Sequence, residues 1–199
     1  LLHGMTRKIG CPAKPVDALL SEDITLVVTS MPDTLINARD KAIILIGFAG
    51  AFRRSEIVRL NVDDISYRDE GIVILLRKSK TDQQGEGRWV GVPYGKNPDT
   101  CPVNALRHWL EMSEISEGAI FRGLDRYDNF VSKRLLIRSV GNIIKRAVKA
   151  AGFDPEKYSG HSLRSGHCTQ ASRAGVAEHV IAQQTGHKSM SSLKRYIRL

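Results

Sequence analysis

The stretch Asn37–Gly50 constrains this chain more than any other, because its pattern is helical and strongly apolar through its second half. A helix of that kind cannot rest on a wet surface, so it predicts a central element with others packed around it. It does not predict a membrane span. The longest apolar run, Ala42–Phe52, is interrupted by Gly47 and Gly50 and falls well short of the roughly 18 residues a bilayer requires. With 199 residues, 42% of them hydrophobic, the chain suits one domain with a sizeable core. Lys and Arg number 30 against 21 Asp and Glu, a net charge of +9. Such a surface attracts polyanions through counterion release, with nucleic acid the first candidate and an anionic membrane surface the second. Cys11, Cys101 and Cys168 are odd in number and lack CxxC spacing, so neither a disulfide framework nor a zinc ribbon is indicated. No apolar segment follows the basic Thr6–Lys8, so no secretion signal is read, and a reducing cytoplasm is the expected setting.

Local patterns fill in the rest. Ser21 or Asp23 is positioned to cap a helix reaching about Ser30, and Arg53–Leu60 reads as a short amphipathic helix. The period then changes. Gly71–Leu76 is β-branched, Arg77–Gly87 is polar and turn-forming, and Arg88–Pro93 is short and apolar, which predicts a hairpin with Ile65–Tyr67 as a further strand. Helices are expected from Pro102 to Glu114, over Val140–Ala151 ending at Gly152, and over Leu163–Ala174, Ala177–Gln184 and Ser191–Ile197. The predicted fold class is α+β, mainly α-helical with a small antiparallel β-sheet. Residues 1–20 read as a linker from an absent N-terminal domain, and 21–199 as one compact domain.

Four short motifs carry candidate chemistry. In Phe52-Arg53-Arg54-Ser55-Glu56, Arg53 and Glu56 stand at i and i+3 on one helical face. Lys80 sits in Lys78-Ser79-Lys80-Thr81, where the hairpin turns. Gly160-His161-Ser162-Leu163-Arg164 opens a helix and points His161 and Arg164 the same way, and the helix terminus disfavours a charged imidazole. Thr185-Gly186-His187 is followed nine residues later by Tyr196. Taken singly these are a surface ion pair, a solvated lysine, a helix start and a packing tyrosine.

In this order, Arg-x-x-Glu, Lys, His-x-x-Arg, Gly-His, Tyr, they resemble the tyrosine recombinase, or phage integrase, family from about Ser21 to Tyr196. The surrounding text fits as well: GFAGAFRRSEIVRLNVDDI, SGHSLRSG and TGHKSMSSLKRYIR. The resemblance implies that Arg53, Lys80, His161, Arg164 and His187 are catalytic, that Tyr196 is the nucleophile, and that Glu56 supports Arg53. It implies that 21–199 is a catalytic domain preceded by an absent N-terminal DNA-binding domain, with double-stranded DNA as partner, a homotetramer on DNA in the full-length protein, action at the nucleoid of a prokaryotic cytoplasm, and a role in DNA integration, mobile-element movement or chromosome resolution.

The chemistry agrees. Attack on a phosphodiester builds negative charge on phosphorus oxygens, which two guanidiniums and an imidazole donor would stabilise. A phenol with a pKa near 10 needs a proton acceptor, for which His161 is best placed. The leaving 5′ oxygen needs a donor, and Lys80 in a cationic site could supply it. A 3′-phosphotyrosine link would conserve the bond energy for rejoining, so neither cofactor nor metal is expected. Rival readings are a two-metal nuclease built on Glu56, Asp63 and Asp64, and a zinc site from His161, His167, Cys168 and His187, whose spacing fits no standard pattern. A type IB topoisomerase shares the tyrosine chemistry, and a non-catalytic DNA-binding fragment needs only the charge.

Overall fold

The central helix is present, as α2 (Leu35–Ala49), capped by the Thr34 hydroxyl, which accepts from the Asn37 amide. Its residues Ala42, Ile43, Ile44 and Ile46 are fully buried, each isoleucine contributing about 1.5–3 kcal/mol of burial. The computed structural model describes residues 16–77 and 87–198. Around α2 pack α1 (Ser21–Thr29), α3 (Arg54–Arg59), α4 (Pro102–Ser113), α5 (Ile137–Ala150) and α6 (Gly160–Arg173). Charge also enters this interior. Arg39 donates to Asp40 Oδ1 from Nε and Nη2 at 3.0 and 2.8 Å, and Arg146 of α5 reaches Oδ2, so the buried carboxylate is compensated.

Strands β1 (Ile65–Arg68), β2 (Gly71–Leu76) and β3 (Arg88–Pro93) form the antiparallel sheet in that order, with Ile65 opposite Ile74 and Leu76 opposite Arg88. Ile72, Ile74, Leu76, Val90 and Val92 turn into the core. A second hairpin, β4 (Gly123–Leu124) with β5 (Phe130–Ser132), was not anticipated. Its strands are too short to show an alternating pattern. The chain closes with α7 (Glu178–Thr185) and α8 (Met190–Lys194), whose Ile181, Ala182 and Leu193 form a separate small cluster with Cys168 of α6.

Several boundaries differ from expectation for identifiable reasons. At α1 the cap residue is Leu20, and Asp23 accepts the Leu20 amide at 3.1 Å from inside the first turn. Helix α5 starts earlier than Val140 because its first turn is exposed, with Ile137 facing out, so core periodicity does not mark it. The helix expected over Ser191–Ile197 stops at Lys194. There the tail bends back to α6, and the Arg198 amide donates to Thr169 Oγ1 at 2.9 Å. Tyr196 therefore lies in the turn after α8. Residues 16–20, read as the end of a linker, pack onto the domain: Leu19 is fully buried and its amide donates to Ser162 O at 3.1 Å. No described helix is long and apolar enough to cross a membrane.

Candidate active site

Five of the six sequence-predicted catalytic residues converge. Lys80 lies outside the described residues, and so does the rest of 78–86. Arg53, His161, His187 and Tyr196 line one cleft of about 540 Å³, together with Ser159, Ser165, Arg195 and Arg198. Arg164 lies completely buried behind them, against His187 and Tyr196.

Arg53 immediately precedes α3 rather than standing on its face. Its amide donates to Glu56 Oε2 at 2.8 Å and its Nη1 to Oε1 at 2.7 Å, so Glu56 holds both the backbone and the guanidinium. Glu56 is buried and near Arg88 as well, whose Nη2 lies 3.6 Å from Oε2. Arg164 donates to Ala51 O at 2.6 Å through Nη1 and to Thr185 O at 2.7 Å through Nη2. These bonds tie the turn before α3 to the end of α7 through one guanidinium. Burial, with Arg53 close by, brings the Arg164 pKa down to about 10, which leaves it charged at neutral pH.

His161 stands in the first turn of α6, capped by Ser159, whose hydroxyl accepts from the His161 amide at 3.1 Å. One side of the imidazole is enclosed and Arg54, Arg164 and Arg53 are nearby, which together hold it below the ordinary histidine value. Its ring nitrogens make no hydrogen bond among the described residues. A neutral, unoccupied imidazole suits a proton acceptor. The Tyr196 ring centroid is 6.3 Å from that of His161 and 5.0 Å from that of His187, and the Arg164 guanidinium lies over the phenol at 5.3 Å.

His187 does not present a donor to the cleft: its Nε2 faces Arg164 Nη2 at 3.1 Å, and a guanidinium only donates. Nε2 therefore accepts. Burial first, then Arg164, Arg53 and Arg88, lower its pKa to about 4, so the ring is neutral near pH 7. In this arrangement it offers no N–H to a phosphate.

Three contributing residues escaped the sequence reading. Arg88 on β3 donates to Gln184 O at 2.5 Å and so fastens the hairpin to the end of α7. It runs against Gly186, where the backbone is left-handed (φ 68°) and a Cβ would come within 2.9 Å of its Nε. Arg54 crosses Gly160, where a Cβ would collide with its Cδ at 2.2 Å. Thr185 is the third. The only signal in the sequence was a lone arginine opening an apolar strand, and small residues beside two motif positions.

Two of the three carboxylates of the rival metal reading, Glu56 and Asp64, are engaged otherwise. Glu56 is held as above, while Asp64 accepts from Arg77 Nε at 2.5 Å and from the Asn61 amide at 2.8 Å. Of the residues of the rival zinc reading, His167 packs edge-on against Phe48 at 6.0 Å and Cys168 faces the small cluster, where burial raises its thiol to about 11.

The phage integrase family matches residues 18–199. The integrase/recombinase xerD homolog of Selenomonas ruminantium is 40% identical over 197 residues, 98% of this chain and 58% of that protein. Tyrosine recombinase XerC of Syntrophus aciditrophicus is 27% identical over 186 residues, 92% of this chain and 57% of its own length. The chain thus spans a little over half the length of these curated relatives. Among solved structures, XerH site-specific recombinase bound to difH substrate in a pre-cleavage complex superposes with a TM-score of 0.73 at 18% identity. That match covers 96% of this chain and 53% of the other. XerA recombinase gives 0.70 at 20% identity, covering 95% and 61%. At these identities the two structures bear on the fold, which is that of a tyrosine recombinase catalytic domain.

Proposed function

The chain belongs to the phage integrase family, and on that premise we propose that it is the catalytic part of a site-specific recombinase that cleaves and rejoins duplex DNA through Tyr196. The observation that carries this reading is the seating of Tyr196 against Arg164, with His161 and His187 on either side of the same cleft. Solved neighbours described as bound to DNA, and the +9 charge, support duplex DNA as the partner. The proposed setting is a prokaryotic cytoplasm, with four full-length copies assembled on DNA.

In the proposed cleavage, the Tyr196 oxygen attacks phosphorus and the P–O5′ bond breaks, leaving a 3′-phosphotyrosine and a 5′ hydroxyl. The phenolic proton passes to His161. The departing O5′ takes a proton from Lys80; the described end of that hairpin, Arg88, reaches both Glu56 and Gln184. Arg53 and Arg164 hold the non-bridging oxygens, where one such donor contributes about 3–4 kcal/mol to the transition state. Rejoining is the reverse, with a 5′ hydroxyl from the same or another strand as nucleophile. Every group in this scheme is a side chain, so the proposed reaction is independent of metal.

Incubation with a nicked duplex followed by denaturing electrophoresis tests the proposal. The parent should give a covalent protein–DNA band that EDTA leaves unchanged, and Tyr196→Phe should give none while binding DNA normally. A surviving adduct in Tyr196→Phe would move the nucleophile to another tyrosine. Loss of the band in EDTA, restored by magnesium, would sink metal independence. A two-site exchange assay beside a supercoil-relaxation assay separates a recombinase from a topoisomerase.

A further inference from the structure

Resting on that reading, we infer that Thr185 is a positioning residue that holds the His187 ring by accepting its hydrogen and, through the ring, steadies Arg164. Thr185 is completely buried at the end of α7. Its hydroxyl oxygen lies 2.7 Å from His187 Nδ1, 2.7 Å from Ile181 O and 3.3 Å from Ala182 O. A hydroxyl both donates and accepts, so this side of the ring suits either tautomer.

The opposite side of the ring decides it. Arg164 Nη2, 3.1 Å from Nε2, has hydrogens and no acceptor capacity. Nε2 therefore presents a lone pair, Nδ1 carries the ring hydrogen, and the Thr185 hydroxyl accepts it while donating to a carbonyl of α7. Thr185 also takes the Arg164 Nη2 on its own carbonyl at 2.7 Å, so one buried residue grips both groups. A valine at this place would keep the volume and the carbonyl. It would strand the His187 Nδ1 hydrogen in a buried site, and either escape, a turned ring or a hydrogen moved to Nε2, ends the bond from Arg164 Nη2 to Nε2 and lets Arg164 shift.

Ring-nitrogen NMR on the 199-residue chain, with the His187 signal identified by its loss in His187→Gln, reads the tautomer directly. The parent and Thr185→Ser should show Nδ1–H at neutral pH, and Thr185→Val should lose that single ring-nitrogen pattern. Single-turnover adduct formation should fall by roughly 10–100-fold in Thr185→Val, as for other lost orienting partners, with DNA affinity unchanged because no charge is altered. Thr185→Ser should restore the rate. An Nε2–H tautomer in the parent overturns the proposal, and this holds even if the valine variant fails to fold. Parental cleavage by Thr185→Val overturns it too, whichever tautomer that variant shows. A parent that shows Nδ1–H yet forms no adduct breaks the catalytic reading and leaves the Thr185–His187–Arg164 geometry standing.

Discussion

Two packed regions carry the proposed machinery, and they are very unequal. Arg53 and Arg164 are rooted in the main core, beside Phe52, Ile57 and Leu163, all fully buried. His187 and Tyr196 hang on the small cluster of Cys168, Ile181, Ala182 and Leu193, closed by a five-residue helix that could not persist alone. In the proposed mechanism, the groups that would meet phosphate charge in a fixed geometry thus stand where local opening is expensive, and the proposed nucleophile stands where opening costs less. Arg164 joins the two regions, through Ala51 O on one side and Thr185 O on the other.

The largest expected effect separates charge stabilisation from leaving-group protonation. Lys80→Ala should slow cleavage by a factor of about 100–10,000, the usual worth of general acid help. A substrate with sulfur as the bridging 5′ atom needs no proton, so on it Lys80→Ala should approach the parent. Arg164→Ala, from the main core, should lose about 10²–10³ in rate on both substrates because it acts on non-bridging oxygens. Sulfur rescue of Arg164→Ala, or its failure with Lys80→Ala, would show that these roles are exchanged or lie elsewhere.

Next in size is a pair of core truncations, each removing a fully buried aliphatic side chain at about 2–5 kcal/mol. Ile57→Ala should lower the melting temperature of the whole domain. Leu193→Ala should instead release the tail, raising hydrogen exchange over 187–198 and slowing adduct formation with a smaller shift in melting. Equal shifts for the two variants would mean that the clusters unfold as one and that the contrast fails.

The smallest effect is on pH. His187, at about 4 in the folded chain against an ordinary value near 6.5, is held neutral by the fold, so the unfolded chain binds its proton first. Its stabilising contribution is therefore fully present above about pH 6.5 and is lost as pH falls toward 4. His161 and His167 are lowered as well and add the same sign. The melting temperature should drop between pH 7 and 5, and His187→Gln should flatten that slope. A slope unchanged by the substitution would place the titration elsewhere.

Much of this was legible in the chain. Helices α2 and α4 and strands β2 and β3 follow from apolar periodicity, because burial imposes the period that a reader detects. The motif residues Arg53, Glu56, His161, Arg164, His187 and Tyr196 were legible by type and order. Arg88 was not, since an arginine at the start of a strand has no local reason to pack, half-buried, against Glu56 and Gly186. Nor was the end of α8, which a tertiary bond from Arg198 to Thr169 decides against local helical propensity.

What the sequence determined by itself is which groups are available: two arginines, two histidines and a tyrosine, at spacings that local helix geometry makes neighbourly only within each motif. What each group is able to do was decided by the tertiary structure. His187 became an acceptor because Arg164, twenty-three residues away, points a donor at it while Thr185 holds its other nitrogen. Hydrogen-bond roles and proton affinities depend on distances of a few ångströms between segments far apart in the chain, and no pattern along the chain encodes those distances.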